Sequence, residues 1–294
     1  MQARCNFCGS ALCGQKYKIE HPYSHFDIYE CPDCKLLFQN PLPDKKSLLK
    51  MYQEDYYTGS SSFSYEDERK AFPAYSKVWK KRVLKLKKNL KTQALKPKIL
   101  DIGSSFGGLL ENALGAGFDP YGIEISDYSR QYSETLLGKG KVFPDLKEAS
   151  FQDSFFDAVS MIEVIEHLDN PSESLEEVYR ILKKGGVFLI QTANMEGLQA
   201  KKLKEKYHYF LPGHLYYFSR QNLREKLFKI GFQKIKFFHP VEFGLLPKLQ
   251  KSKAGFHSCK DYWKWKNIIS YHLKSLFHWN DFCLTSSMAV YAWK

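Results

Sequence analysis

Ile99-Leu100-Asp101-Ile102-Gly103-Ser104-Ser105-Phe106-Gly107-Gly108 begins as an apolar strand, closes that strand on an acid, and runs through small residues into the helix-forming Leu109-Leu110-Glu111. Small residues let a backbone approach a ligand closely, and the N-terminus of the following helix offers unpaired N–H groups to a carboxylate or phosphate. The spacing Gly103-x-Ser105-x-x-Gly108 fits a nucleotide-binding turn, and Glu124, 21 residues past Gly103 at the end of the next predicted strand, is placed to hold a ribose diol. Working outward, strand patterns at Lys98 to Ile102, Pro120 to Ile125, Lys141 to Phe143, Phe156 to Met161 and Val187 to Thr192 alternate with helix patterns. These lie near Gly107 to Ala116, Asp127 to Leu137 and Pro171 to Leu182, the last predicted to end at Gly185-Gly186 as a C-cap. Such alternation predicts an α/β fold, a mostly parallel sheet with helices on both faces.

Three features turn the reading away from a plain dinucleotide fold. Asp101 lies two residues before the first glycine, the fourth strand runs into Glu163-Val-Ile-Glu166-His167, and the chain finishes with a helix over Gln221 to Lys229 and two strands, Gln233 to Phe238 and Ser287 to Trp293, that read as an antiparallel pair. With these residues the chain resembles the class I S-adenosylmethionine-dependent methyltransferases. Their Asp-x-Gly-x-Gly-x-Gly motif is matched by Asp101, Gly103, Ser105 and Gly107, with Ser105 replacing the middle glycine. The likeness continues through Ser154 to Pro171, Arg180 to Ile190 and Pro212 to Ser219, so it covers about residues 96–239 plus the last strand. It implies a Rossmann-like seven-stranded methyltransferase sheet and S-adenosylmethionine as cofactor. By the same resemblance Glu124 would hold the ribose hydroxyls, Gly103 and Gly107 the methionine end, and Asp145 with Leu146 the adenine.

Glu163, Glu166 and His167 are spaced i, i+3 and i+4, which on a helix puts all three on one face near the carboxyl end of the fourth strand. The stretch is similar to the ubiquinone-biosynthesis O-methyltransferases and the small-RNA 2′-O-methyltransferases, whose Glu-x-x-Glu-His residues hold Mg²⁺ over the acceptor hydroxyl. A later histidine completes the site in the second family, and His214 stands in a matching His-Leu-Tyr-Tyr-Phe-Ser stretch. Two readings stand side by side. Either Glu163, Glu166, His167 and His214 bind a divalent ion that lowers the acceptor's pKa, or the carboxylates line the pocket and His167 or His214 is the general base.

Toward the N-terminus, four of the seven cysteines form Cys5-x-x-Cys8 and Cys31-x-x-Cys34. Two such knuckles read as a zinc ribbon over residues 1–43, with Zn²⁺ as a structural ion, because the two-residue gap turns both thiolates toward one ion. Cys13 and His25 are substitute ligands, a disulfide pair is the competing reading, and Cys259 and Cys283 stand alone. A linker over 44–96 follows, predicted as a short helix from Asp44 to Tyr57, a joint at Gly59-Ser-Ser-Ser62, and a long amphipathic helix from Tyr65 to Leu95. Its apolar residues, Phe72, Tyr75, Trp79, Val83, Leu86 and Leu90, recur at steps of three and four opposite a lysine-rich face. Residues 97–294 form the catalytic domain, with an aromatic and basic insertion at 245–284 that includes Trp263-Lys-Trp265.

Across its 294 residues the chain is 44% hydrophobic and 26% charged, which argues against intrinsic disorder, and no apolar run reaches the roughly 18 to 20 residues of a spanning helix. The expectation is a cytoplasmic protein, whose insertion either rests on the inner membrane face or packs as a lid or dimer contact. The +12 charge and 16% aromatic content suit an anionic partner or one that offers faces for stacking, and suit equally a lysine-rich solvated surface. A four-cysteine ribbon, a Tyr-rich linker with Tyr56-Tyr57, and this catalytic domain resemble the methyltransferases of bacterial surface-polysaccharide and deoxysugar pathways. That likeness implies a small-molecule or lipid-linked sugar hydroxyl as acceptor. RNA 2′-O-methylation is the alternative enzyme reading, and a non-catalytic ribbon scaffold the alternative outside enzymes.

Overall fold

The computed structural model describes residues 3–22, 24–44, 47–48, 51, 68–92, 94–238 and 285–294, and between them 263, 265–266, 268–270, 272–273, 278–279 and 282–283. The expected helix at 44–57 falls almost wholly outside the described residues, as do the Gly59 to Ser62 joint, the start of the long helix and most of the 245–284 insertion.

The first strands are β1 (Gly14–His21), β2 (Ser24–Glu30) and β3 (Leu37–Gln39), joined in antiparallel order. A fourth strand, β9 (Tyr216–Tyr217), comes from far along the chain and pairs Leu37 with Tyr217 and Phe38 with Tyr216. Helix α1 (Glu68–Asn89) follows. Its expected apolar stripe is real: Trp79, Val83 and Leu86 are buried against Ile99, Leu109, Leu110 and Ala113, while Lys77, Lys80, Lys81, Lys87 and Lys88 face water. Each of those three burials contributes roughly 1.5 to 3 kcal/mol.

The main sheet then assembles from β4 (Lys98–Ile102), β5 (Asp119–Ile123), β6 (Val142–Phe143), β7 (Phe156–Ile162), β8 (Leu182–Ala193), β10 (Lys234–Phe238) and β13 (Ser287–Trp293). Its order is β10-β13-β8-β7-β4-β5-β6, with β13 antiparallel between β8 and β10 and the other neighbours parallel. Between the strands lie α2 (Gly108–Gly115), α3 (Asp127–Leu137), α4 (Leu146–Ala149), α5 (Pro171–Ile181), α6 (Leu198–Leu203) and α7 (Arg220–Ile230). Within the expected insertion, β11 (His278–Trp279) and β12 (Phe282–Cys283) pair antiparallel.

Neighbouring residues along each central strand go to opposite cores. Ile99, Ala158, Val187 and Leu189 pack toward α1 and α2, whereas Leu100, Val159, Phe188 and Ile190 pack toward Leu175 and Val178 of α5 and Leu223 and Leu227 of α7. Side chains alternate across a strand, so a sheet covered on both faces needs near-continuous apolar runs, and these strands supply them. The architecture is the expected Rossmann-like seven-stranded sheet. Among the described residues no helix is long and apolar enough to cross a membrane.

The glycine pair at 185–186 departs from expectation. Helix α5 stops at Ile181 and the chain enters β8 at once, so the two glycines sit inside a strand rather than capping a helix. There the β7–β8 register jumps from Phe156↔Leu182 to Ala158↔Val187. Gly185 takes φ 78°, and a Cβ on Gly186 would lie 2.8 Å from the Lys183 carbonyl oxygen, which explains why both positions lack side chains.

Candidate active site and metal centre

Strand order reverses at β4: the chain first moves outward through β5 and β6, then returns to place β7 on the other side. Ligands of open α/β sheets bind at the carboxyl ends of strands at such a switch point. Here those ends open on a cavity of about 1260 Å³. Of the residues expected to hold the cofactor, Asp101, Gly103, Ser105, Glu124, Asp145 and Leu146 line it; Gly107 does not. Gly107 serves the turn instead, entering α2 with φ 80°.

The loop is held from below by Glu124. This carboxylate is 3% exposed and accepts the Ser105 N–H at 2.7 Å and the Ser126 N–H at 2.9 Å. Ser133 Oγ donates to the Ser105 carbonyl at 2.8 Å, and Ser160 Oγ to Asp101 Oδ1 at 2.6 Å. Gly103, at φ 75°, lies so close to Val164 that a Cβ would meet Val164 Cγ2 at 2.2 Å, and a Cβ on Gly108 would strike the Trp79 ring at 2.3 Å. The small residues therefore seat two neighbouring side chains, Val164 and Trp79. Asp145 caps α4 by accepting the Glu148 N–H at 2.8 Å, so its carboxylate already has a backbone partner.

Opposite the loop, α1 walls the cavity with Tyr75, Trp79 and Arg82. Tyr75 and Trp79 stack with centroids 5.4 Å apart at 25°. Arg82 Nη2 donates to Gln191 Oε1 at 2.5 Å, and Gln191 Nε2 donates to Glu163 Oε1 at 2.8 Å. Sequence reasoning missed Arg82 and Gln191. Their signal was positional: Arg82 follows Trp79 by three residues on the helix, and Gln191 is a polar residue directly after the apolar run Val187 to Ile190, near the carboxyl end of its strand.

The Glu-x-x-Glu-His stretch is not an α-helix. Glu163 has φ 54°, and a single 3-10 turn spans Ile165–His167, so the expected common face is broken. Glu163 stays at the cavity with Gln191, while donor atoms of Glu166, His167 and His214 come within 4.8 Å of one another. Of those three only His167 lines the cavity. Both imidazoles are anchored: His167 Nδ1 is 2.7 Å from the Gly213 carbonyl oxygen and His214 Nδ1 is 2.9 Å from that of Tyr209. A carbonyl only accepts, so each ring carries its proton on Nδ1 and presents a lone pair on Nε2. Burial lowers the His167 pKa to about 4, against a small upward pull from Gly213. Burial and the neighbouring His167 hold His214 well below the ordinary value. Glu166 is 1% exposed, neither carboxyl oxygen has a hydrogen-bond partner, and burial followed by the Glu163 charge pushes its pKa well up. Two lone pairs beside two unpartnered carboxyl oxygens form a donor set that fits a divalent ion. Glu163 is not part of it.

These shifts fix how the metal-free protein should respond to acid. Between the unfolded histidine pKa near 6.5 and about pH 4, the unfolded chain takes up two protons that buried His167 and His214 refuse. Glu166 keeps its proton in the folded state to a higher pH than when unfolded, which offsets one of them. The histidine contribution is therefore complete above pH 6.5 and below it stability falls on acidification by about 1.4 kcal/mol per pH unit for the net proton, while the Glu166 contribution runs the other way and is lost as the pH rises through its raised folded-state pKa. Urea titrations across that range should show the decline, and Glu166→Gln should steepen it.

At the N-terminus the two knuckles repeat one backbone pattern. Cys5 N–H donates to the Ser10 carbonyl and Gly9 N–H to that of Cys5; Cys31 N–H donates to Leu36 and Lys35 N–H to Cys31. Gly9 and Lys35 occupy the same left-handed position, with φ 90° and 58°. Cys5 and Cys34 sulfurs are 3.7 Å apart and Cys8 and Cys31 sulfurs 3.4 Å. Thiolates at about 2.3 Å from a central ion in a tetrahedron stand about 3.8 Å from one another, so the four sulfurs are spaced for Zn²⁺ and too far apart for S–S bonds. The thiols share protons: the hydrogen bond between Cys5 and Cys34 draws the Cys5 pKa down to about 5 and pushes that of Cys34 up, and burial raises Cys8. Cys13 and His25 are not part of the cluster, and burial raises the Cys13 thiol to about 12.

A family model described as a methyltransferase domain matches residues 69–236, more than half of the chain. The chain belongs to this methyltransferase domain family. With the seven-stranded sheet, the methyltransferase domain is of the class I, S-adenosylmethionine-dependent kind. The mitochondrial ubiquinone biosynthesis O-methyltransferase of Dictyostelium discoideum is 29% identical over 40% of this chain and 41% of its own length. The enzyme of the same name from Thiobacillus denitrificans is 28% identical over 33% of this chain and 44% of its own. The methyltransferase domain thus spans under half the length of these two relatives. Among solved structures, a SAM-dependent methyltransferase from Archaeoglobus fulgidus is 25% identical with a TM-score of 0.52, covering 77% of this chain and 97% of that one. Phosphoethanolamine N-methyltransferase 2 of Haemonchus contortus shares the fold at 18% identity and a TM-score of 0.56, covering 95% of this chain and 71% of that one.

Proposed function

We propose that the protein moves the methyl group of S-adenosylmethionine to a hydroxyl of a small-molecule acceptor, a sugar or lipid-linked sugar, with His167 as general base. The observation that carries this reading is a neutral imidazole on the wall of the cofactor cavity, its Nδ1–H committed to Gly213. S-adenosylmethionine supplies a sulfonium-activated methyl when bound. Asp101, Gly103, Ser105 and Glu124, which line the cavity at the carboxyl ends of β4 and β5, would hold the cofactor. The lone pair on His167 Nε2 takes the hydroxyl proton as the acceptor oxygen attacks, and the carbon–sulfur electrons stay on sulfur. Burial lowers the His167 pKa to about 4, so the imidazole is unprotonated at neutral pH, although a weaker base than one that titrates near it. Alignment and exclusion of water by the α1 wall supply the larger part of the barrier reduction.

The ribbon, linker and catalytic domain in sequence support the sugar. Methyl-labelled S-adenosylmethionine incubated with a host extract, separated into RNA, glycan and small-molecule fractions, tests this. Ribonuclease-resistant label in glycan or small molecules is expected. Ribonuclease-sensitive label would shift the assignment to RNA 2′-O-methylation, and no label anywhere would leave a scaffold. His167→Gln should lower the labelling rate by roughly 10² to 10⁴ with cofactor affinity within about threefold of the parent.

A second reading is carried by the unpartnered oxygens of Glu166. Glu166, His167 and His214 would hold a divalent ion such as Mg²⁺, which would polarise the acceptor hydroxyl in place of a base. Titration with Mn²⁺ separates the two: one bound ion lost in Glu166→Gln favours the metal, and no binding favours the imidazole.

A further inference from the structure

Gln39 ends β3, a strand of the ribbon sheet, yet its side chain serves the catalytic domain. It is 1% exposed, and its Nε2 stands 2.9 Å from the His214 carbonyl oxygen, 3.1 Å from that of Pro212 and 3.1 Å from that of Leu211. The Gln39 backbone N–H adds a bond to Leu215 O at 2.9 Å. The turn between is closed on itself by His214 N–H donating to Leu211 O at 3.0 Å. Of the four carbonyls from 211 to 214, Gln39 gathers three and leaves that of Gly213, which receives His167 Nδ1–H at 2.7 Å. An amide NH₂ is the one uncharged side-chain group that can feed several acceptors from a single atom, and three converging carbonyls repel a carboxylate at the same place.

We propose that Gln39 is a positioning residue for methyl transfer: by clamping the 211–214 turn from the ribbon side, it fixes the tautomer and ring plane of His167. Gln39 does not line the cofactor cavity, so it acts only through that turn. The proposal rests on His167 being the general base. It places one of the ribbon's own residues one turn away from the chemistry, and gives the N-terminal sheet a task besides holding metal.

The test is a pair of variants, Gln39→Leu and Gln39→Glu, in the full-length, zinc-loaded protein labelled with ¹⁵N-histidine. Two-bond ¹H–¹⁵N spectra of the parent should show His167 as the Nδ1–H tautomer, its signals assigned by their loss in His167→Gln. Both variants should move His167 toward the commoner Nε2–H form. Labelling of the acceptor fraction should fall at least tenfold, while bound zinc and the dissociation constant for S-adenosylmethionine stay at parental values. Those two measurements also certify that the variants fold, and Gln39→Met, which keeps the length and volume without a donor, replaces either variant that does not. A parent already in the Nε2–H form, or variants whose His167 signals match the parent's, would overturn the proposal. A tautomer change in variants of a parent that labels nothing would strike the general-base reading alone.

Discussion

Glu124→Ala is expected to raise the dissociation constant for S-adenosylmethionine by about 100-fold or more, read by calorimetric titration. Glu124 performs two tasks that alanine cannot. Its carboxylate terminates the Ser105 and Ser126 N–H groups and so sets the loop after β4, and it stands where the ribose hydroxyls would be bound. Hydrogen bonds to a charged acceptor contribute roughly 1.5 to 3 kcal/mol each, and losing two accounts for the factor. Because the side chain is buried, the two N–H groups it releases have no water to turn to, so the loop loosens as well. Asp101→Ala should act in the same direction, since Asp101 lines the same cavity and is held by Ser160. Titrations of either variant that matched the parent would remove the cavity from cofactor binding.

The second large effect concerns the cysteine cluster. Elemental analysis should find one zinc ion per chain, and Cys31→Ser should lose it together with the ordered ribbon. Phe7, Leu36 and Phe38 bury their side chains in a core shared with the catalytic domain, but the two knuckles themselves are joined through the ion, and tetrahedral zinc sites carry apparent free energies on the order of 10 to 16 kcal/mol, which here adds to the folding energy. Cys31 is fully buried and its backbone N–H and carbonyl are both used in the knuckle, so serine cannot rebuild the site. Proteolysis should then cut within 3–40 while the sheet core from β4 to β8 resists. A serine variant that kept its zinc, or a metal-free parent whose ribbon resisted cleavage, would contradict a structural ion.

What could be read in advance followed from periodicity and from motifs whose geometry is local. The apolar steps of α1, the strand-loop-helix at Asp101 to Gly108 and the paired CxxC knuckles each depend on residues close in sequence, and each is found where expected among the described residues, except that α1 ends at Asn89 and not at Leu95. The misreadings came from long-range context. Gly185 and Gly186 looked like a helix stop, but the bulge against β7 and the bond from Gly185 N–H to Lys294 O govern them. Glu163, Glu166 and His167 fit helical spacing until the left-handed turn at Glu163 sends its side chain to Gln191, a partner on another strand. Gln39 gave no local signal at all, because its role exists only where distant segments meet.

The strand exchange between β3 and β9 sets an order in time. A ribosome releases Leu37 and Phe38 long before Tyr216 and Tyr217, and at about 5 to 20 residues per second the interval is roughly 10 to 35 s. Over that interval the nascent sheet keeps an unpaired edge, with Leu37, Phe38 and the Gln39 amide still waiting for their partners. Exposed strand edges recruit other chains, so the most vulnerable moment in the protein's life falls during its synthesis. The ribbon sheet thus closes only when β9 has been made, and a fragment cut after the ribbon would keep that edge open indefinitely.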